Sequence, residues 1–144
     1  MRSYRHAFTR IDPRAVEATR RLLAAKPWRG NPGRGGQVER TAARRAFDEW
    51  LREMSEIYGI RCPALVLSPF VDCGGEYIPV LNVIAIPKFS VFTLAHEFRH
   101  AWQFHKRRKM GDEEDARGWS VSLVYAADEK FYRNAVKKGL VLYA

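Results

Sequence analysis

The residues best placed to do chemistry are His96, Glu97 and His100, in the order H-E-x-x-H. On a helix, histidines four apart fall on one face a turn apart, so both imidazoles reach a single ion. The glutamate between them projects alongside and can accept a proton from a water polarised by that ion. A helical wheel at about 100° per residue gathers Val91, Leu94, Phe98, Ala101 and Trp102 into one apolar stripe. His96 and His100 lie roughly opposite, flanked by Phe92, Thr93, Gln103 and Phe104. A helix with a packed back and histidines among aromatics on its front suits the floor of a cleft better than open solvent.

Two imidazoles do not complete such a site. A catalytic zinc has three protein ligands and an open fourth position. His105 falls on the opposite side of the helix, and His6 is remote. A carboxylate is the better third ligand, and Asp112-Glu113-Glu114-Asp115 opens the next helical pattern. There Ala116, Trp119, Ser120, Leu123, Val124, Ala127 and Phe131 form the inward stripe. Glu113 falls at its edge, whereas Glu114 and Asp115 point away. Asp112 points inward but serves better as an N-cap. Glu113 is therefore the leading candidate and Glu114 the next, with Asp128 and Glu129 more remote. In the alternative, all four acids merely cap the helix and complement its dipole. A histidine-bearing helix running straight to Met110 would carry Glu113 about 15 Å or more past His100 at about 1.5 Å per residue. The active helix must therefore end near His105, leaving His105-Lys106-Arg107-Arg108-Lys109 as a cationic C-terminal turn.

The elements that must hold these residues are readable from periodicity. Asp12-Pro13 reads as an N-cap and first helical residue, opening a helix to about Ala25. Its apolar residues are Val16, Leu22, Leu23 and Ala24. A glycine-rich loop, Gly30 to Gly36, follows. A second helix is expected from Val38 to Tyr58, with Ala42, Phe47, Trp50, Leu51, Met54 and Ile57 at helical spacing. Ala64–Leu67 reads as a strand. Tyr77-Ile78 and Val80–Ile86 read as a second extended stretch, with Pro79 at an edge or bulge. Ser90 caps the helix that carries the histidines, and a last helix runs from Asp112 to about Lys138. The class is α+β, with helices around a small antiparallel or mixed sheet.

The 144 residues suit a single domain, 1–144. No apolar run is long enough to cross a bilayer, so no membrane partner is expected. No signal-peptide pattern opens the chain, and only Cys62 and Cys73 are present, so a reducing, cytoplasmic setting with free thiols is expected. The net charge of +9 falls entirely within residues 1–45, while residues 46–144 are balanced. That basic N-terminal helical extension reads either as a solvated surface or as a contact for an acidic partner or nucleic acid. A nucleic-acid-binding or regulatory module with a structural or proteolytically silent zinc site is thus the competing function.

The segments Phe92-Thr93-Leu94-Ala95-His96-Glu97-Phe98-Arg99-His100 and Glu113-Glu114-Asp115-Ala116-Arg117-Gly118-Trp119-Ser120 resemble the ImmA/IrrE-type zinc metallopeptidases. These are gluzincins with the pattern F-T-x-A-H-E-x-G-H followed by E-x-E-A-N-x-F-A. The resemblance covers about residues 46–138. It departs at Arg99 for glycine, Asp115 for glutamate, Arg117 for asparagine and Trp119-Ser120 for Phe-Ala. Ala127-Asp128 stands near the usual Met-Pro, and the His100–Glu113 interval is short. The resemblance implies a zincin-like metallopeptidase core over residues 46–144. It implies Zn2+ held by His96, His100 and Glu113, with Glu97 as the catalytic general base. It also implies an endopeptidase acting on a protein, a regulator or repressor being one class of target. The stretch Val80–Ile86 is then expected to pair with the substrate backbone. Arg99, Tyr125 and Tyr132 are candidates for stabilising the oxyanion.

Overall fold

The computed structural model describes residues 10–25, 37–69 and 74–139; side chains are described from residue 40 onward in the second of these segments. The glycine-rich loop at 30–36, His6 and Cys73 lie outside the described residues. Helix α1, Pro13–Ala24, begins where Asp12 accepts a hydrogen bond from the Arg14 N–H at 2.9 Å and Pro13 supplies the preset first φ. It buries Ala15, Ala18, Thr19, Leu22 and Leu23 against α2, Gln37–Tyr58, and against α4, Glu113–Ala127. This described part of the basic first third therefore shares the core of the remaining elements. Trp50 of α2 is buried and donates its indole N–H to Thr19 Oγ1 at 3.1 Å, so the contact between α1 and α2 satisfies its polar atom.

Among the described residues, three strands, β1 (Ala64–Leu67), β2 (Glu76–Ile78) and β3 (Val83–Ile86), form a mixed sheet in the order β1-β3-β2. β1 runs parallel to β3, and β2 antiparallel to it. The single extended stretch expected through Val80–Ile86 is instead a hairpin. Residues 79–82 make the turn, closed by Asn82 N–H to Pro79 C=O at 3.1 Å. Pro79 cannot donate to a ladder, and Asn82 takes a left-handed backbone with φ +51°, which asparagine tolerates better than most residues. Asn82 also receives the Tyr77 hydroxyl at 2.8 Å and donates to Cys62 C=O at 3.2 Å. These bonds pin the turn to the segment entering β1.

Helix α3, Val91–Lys106, starts at Ser90, whose hydroxyl accepts from the Thr93 N–H, and stops at Arg107 with φ +51°. It ends where the reach from His100 to Glu113 requires. Asp112 accepts from the Asp115 N–H at 2.9 Å and caps α4. The long final helix expected to run to Lys138 is two helices. The backbone leaves α geometry at Asp128, φ −158°, and Asp128 accepts from the Phe131 N–H to cap α5, Glu129–Lys137.

The back of α3 is the centre of the core. Val91, Leu94, Ala95, Phe98 and Ala101 are all buried. Phe98 meets Trp50 edge-on at 5.4 Å and stacks near Trp119 of α4 at 5.9 Å between ring centroids. This aromatic packing fixes the rotation of α3, which turns the opposite face toward the cleft. Among the described residues, no helix is long and apolar enough to cross a membrane.

Candidate metal centre

The rotation set by Phe98 brings His96 and His100 side by side, with ring centroids 4.9 Å apart and Nε2 atoms 3.2 Å apart. The side chains are each 12% exposed. Glu113, the first residue of α4, lays its carboxylate across both rings. One oxygen is 3.1 Å from His96 Nε2 and the other 2.8 Å from His100 Nε2. The structure thus brings together His96, His100 and Glu113, drawn from two helices. Glu114 is exposed and does not line the cleft. Asp128 and Glu129 belong to the junction between α4 and α5, with Asp128 spent as a cap. His105 is turned away, its Nδ1 on the Ala101 C=O at 2.9 Å.

Glu97 lies beside the cluster, with Oε1 4.0 Å from His96 Nε2 and a side chain only 8% exposed. Donor atoms of His96, Glu97 and His100 all fall within 4.8 Å of one another. Glu113 stands closer to both imidazole nitrogens than Glu97 does to His96, so of the two acids Glu113 is the better placed to share an ion with the histidines. Burial pushes the Glu97 carboxyl up to about 7; the His100 imidazole opposes this, the Glu113 carboxylate adds to it, and the Tyr77 backbone N–H opposes it. Burial also lowers the His96 pKa, helped by His100 and resisted by Glu113, which favours the neutral imidazole a metal requires.

These donors fit zinc. Three N and O donors at about 2.0–2.2 Å around a tetrahedral ion stand roughly 3.4 Å apart. The observed separations of 2.8, 3.1 and 3.2 Å need only a small expansion. Their chemistry matches as well, because two imidazoles and a carboxylate are a catalytic rather than a purely structural ligand set.

The cluster faces a cleft of about 340 Å³ whose walls include Gly75, Glu76, Tyr77, Phe104, Met110 and Glu113. The strand along it is β2. β3 is flanked on both sides, by β1 and β2, so it has no edge to offer a peptide. Among the described residues β2 pairs on one side only, and its Glu76 and Tyr77 line the cleft. Gly75, just before β2, has φ +152°, and a Cβ there would stand 2.7 Å from Thr93 Cγ2 and 3.3 Å from Glu97 Cγ. Close approach of the strand to α3 at Glu97 therefore needs glycine.

Three expectations about the oxyanion are not met by this geometry. Arg99 points away from the cleft, stacked on Trp102 at 3.7 Å and paired with Asp115. Tyr125 donates to Glu129 at 2.6 Å, and Tyr132 packs against Phe92 and Tyr125; neither tyrosine lines the cleft. Asp115 is the residue sequence reasoning misplaced. Expected to face outward, its side chain is 9% exposed and accepts from Arg99 at 2.7 Å, Gln103 at 3.0 Å and Lys109 at 3.3 Å. Burial pushes its pKa upward, but the hydrogen bonds from Arg99, Gln103 and Lys109 and the charge of Arg99 outweigh this and hold it at about 2. The only signal in sequence was the unusual Arg99 inside the H-E-x-x-H segment, a cation needing an anion.

The larger hollow, about 450 Å³, lies along α2 and includes Arg44, Arg45, Asp48 and Arg52 in its wall. It is remote from the cluster, and Arg44 there is committed to Leu65 C=O and Asp48. In comparisons with known proteins, no family model, no curated protein and no solved structure matches the chain.

Proposed function

We propose that the chain is a zincin-like, zinc-dependent metallopeptidase of the ImmA/IrrE type, an endopeptidase that hydrolyses peptide bonds of a protein substrate in a reducing, cytoplasmic compartment. The observation that carries this reading is the meeting of His96 Nε2, His100 Nε2 and the Glu113 carboxylate within 3.2 Å of one another, with the Glu97 carboxyl alongside. A purely structural zinc site needs no neighbouring acid and no cleft.

The residues divide the work. His96, His100 and Glu113 hold Zn2+, which when bound supplies Lewis acidity toward a carbonyl oxygen and its attacking water. Glu97 takes the proton of that water and returns it to the departing amine. Its burial and its raised pKa suit a base that must both accept and release a proton near neutrality. The open side of β2 receives the substrate in extended form, main chain to main chain. Phe104 and Met110, 40% and 61% exposed on the cleft wall, offer apolar surface to a substrate side chain.

The test pairs two readouts on the full chain. Incubation with an unfolded protein substrate and Zn2+ yields cleavage that chelation stops and zinc restores. Glu97→Gln slows cleavage by about 100-fold or more while zinc stays bound. Cleavage unaffected by both chelator and Glu97→Gln would overturn the assignment.

A further inference from the structure

We propose that Gln103 is a positioning residue that fixes the tautomer of His100, and that it is oriented in turn by an Arg99–Asp115 ion pair joining α3 to α4. The proposal rests on the zinc-site reading above for its purpose, though its geometry stands without it.

Gln103 is fully buried, with both ends of its amide occupied. Its nitrogen lies 3.0 Å from Asp112 C=O and 3.0 Å from Asp115 Oδ2. Both partners are acceptors, so only the NH2 group of the amide satisfies them, and the amide has one permitted orientation. Its oxygen then faces His100 Nδ1 at 2.8 Å. An amide oxygen only accepts, so Nδ1 carries the hydrogen and donates. A neutral His100 is thereby left with its lone pair on Nε2, the atom 2.8 Å from Glu113 and 3.2 Å from His96 Nε2. In this way the second nitrogen's hydrogen bond decides which nitrogen can ligate.

The next link keeps the amide from turning over. Asp115 accepts two bonds from the Arg99 guanidinium, 2.7 Å to Nε and 3.2 Å from the second nitrogen to the other oxygen, and a third bond from Lys109 Nζ. Arg99 itself sits over the Trp102 ring, 3.7 Å from its centroid. A carboxylate so held stays an acceptor toward Gln103. One helix therefore contributes a ligand together with both the residue that orients it and the cation, Arg99, that steadies that residue. The other contributes the third ligand, Glu113, and the anion, Asp115, two positions apart on α4.

The experiment reads the tautomer and the metal separately. Nitrogen-15 NMR of the metal-free full chain at pH 8 gives the hydrogen location on each imidazole. Competition with a chromophoric chelator gives the Zn2+ affinity. In the unsubstituted protein, His100 carries its hydrogen on Nδ1. In Gln103→Met, of similar shape but without the amide, that preference is lost and zinc binds roughly 10- to 100-fold more weakly. A folded Gln103→Met with unchanged tautomer and affinity would overturn the proposal. Where that variant fails to fold, Gln103→Glu and Gln103→Glu/Asp115→Asn decide. The single change sets two carboxylates face to face, and their repulsion draws the new carboxylate away from His100 Nδ1 and weakens zinc binding; the second change restores a donor–acceptor pair, returns the carboxylate to His100 and recovers affinity. A double variant no better than the single one overturns the proposal. An unsubstituted protein with the Nδ1 hydrogen but no zinc affinity contradicts the peptidase reading and leaves the tautomer assignment supported.

Discussion

Glu97 and Gly75 meet across the gap between α3 and the start of β2, and each constrains the other. The glutamate methylene lies 3.3 Å from where a Gly75 Cβ would stand, and the Thr93 methyl only 2.7 Å from it. Gly75→Ala should cost about 1–3 kcal/mol by overpacking alone, with added strain from the positive φ. Thermal denaturation checks this, and Thr93→Ser in the Gly75→Ala background should recover part of the loss because it removes the clashing methyl. Full stability in Gly75→Ala would show that the strand can move away from α3. On the proposed mechanism, Glu97→Gln lowers kcat/KM by about 10²- to 10⁴-fold. Zinc content by elemental analysis stays unchanged, because the amide keeps the shape of the side chain and the three ligands are untouched. Histidine spacing and the neighbouring acid were legible at this scale, since i and i+4 geometry follows from the helix alone. The role of Gln103 was not. Its importance comes from Asp112 and Asp115, which lie on the other side of a loop.

Between elements, the α3–α4 contact depends on the Asp115 carboxylate remaining charged. Its pKa is held down at about 2, below its ordinary value, by Arg99, Gln103 and Lys109. The unfolded chain therefore binds this proton more readily than the folded one. The stabilisation is complete above about pH 5 and is lost as pH falls through about 4 toward 2. Asp115→Asn should lower Tm at pH 7, and the gap to the unsubstituted protein should close across that acid window. A gap constant from pH 7 to pH 2 would assign the effect to packing instead. Helix starts were legible here because Asp12, Ser90 and Asp112 each cap their own helix through a local bond. The hairpin and the break at Asp128 were not. Apolar residues flank both, so periodicity runs through them. Asn82 adopts its left-handed conformation because Tyr77 and the Cys62 carbonyl hold its side chain.

For the whole molecule, the site depends on a core that fixes how far α3 is rotated. Phe98 is fully buried among Trp50, Tyr58 and Trp119, on the side of the helix opposite the histidines. Phe98→Ala should destabilise the fold by about 3–5 kcal/mol, measured by urea denaturation. A loss below about 1 kcal/mol would mean that α3 does not depend on this packing. The α+β class and the pairing of the histidine helix with a glutamate helix were legible from apolar stripes. Strand order was not, because β3 becomes central only when the chain returns between β1 and β2, and no local pattern records that. It is this order that hands the cleft edge to β2. The central claim is a three-ligand zinc site, tested most directly by elemental analysis of protein purified without a metal-affinity tag. About one zinc per chain is expected, lost or weakened in Glu113→Ala and retained in Glu114→Ala. No zinc after addition and dialysis, or equal loss in the two variants, would contradict it.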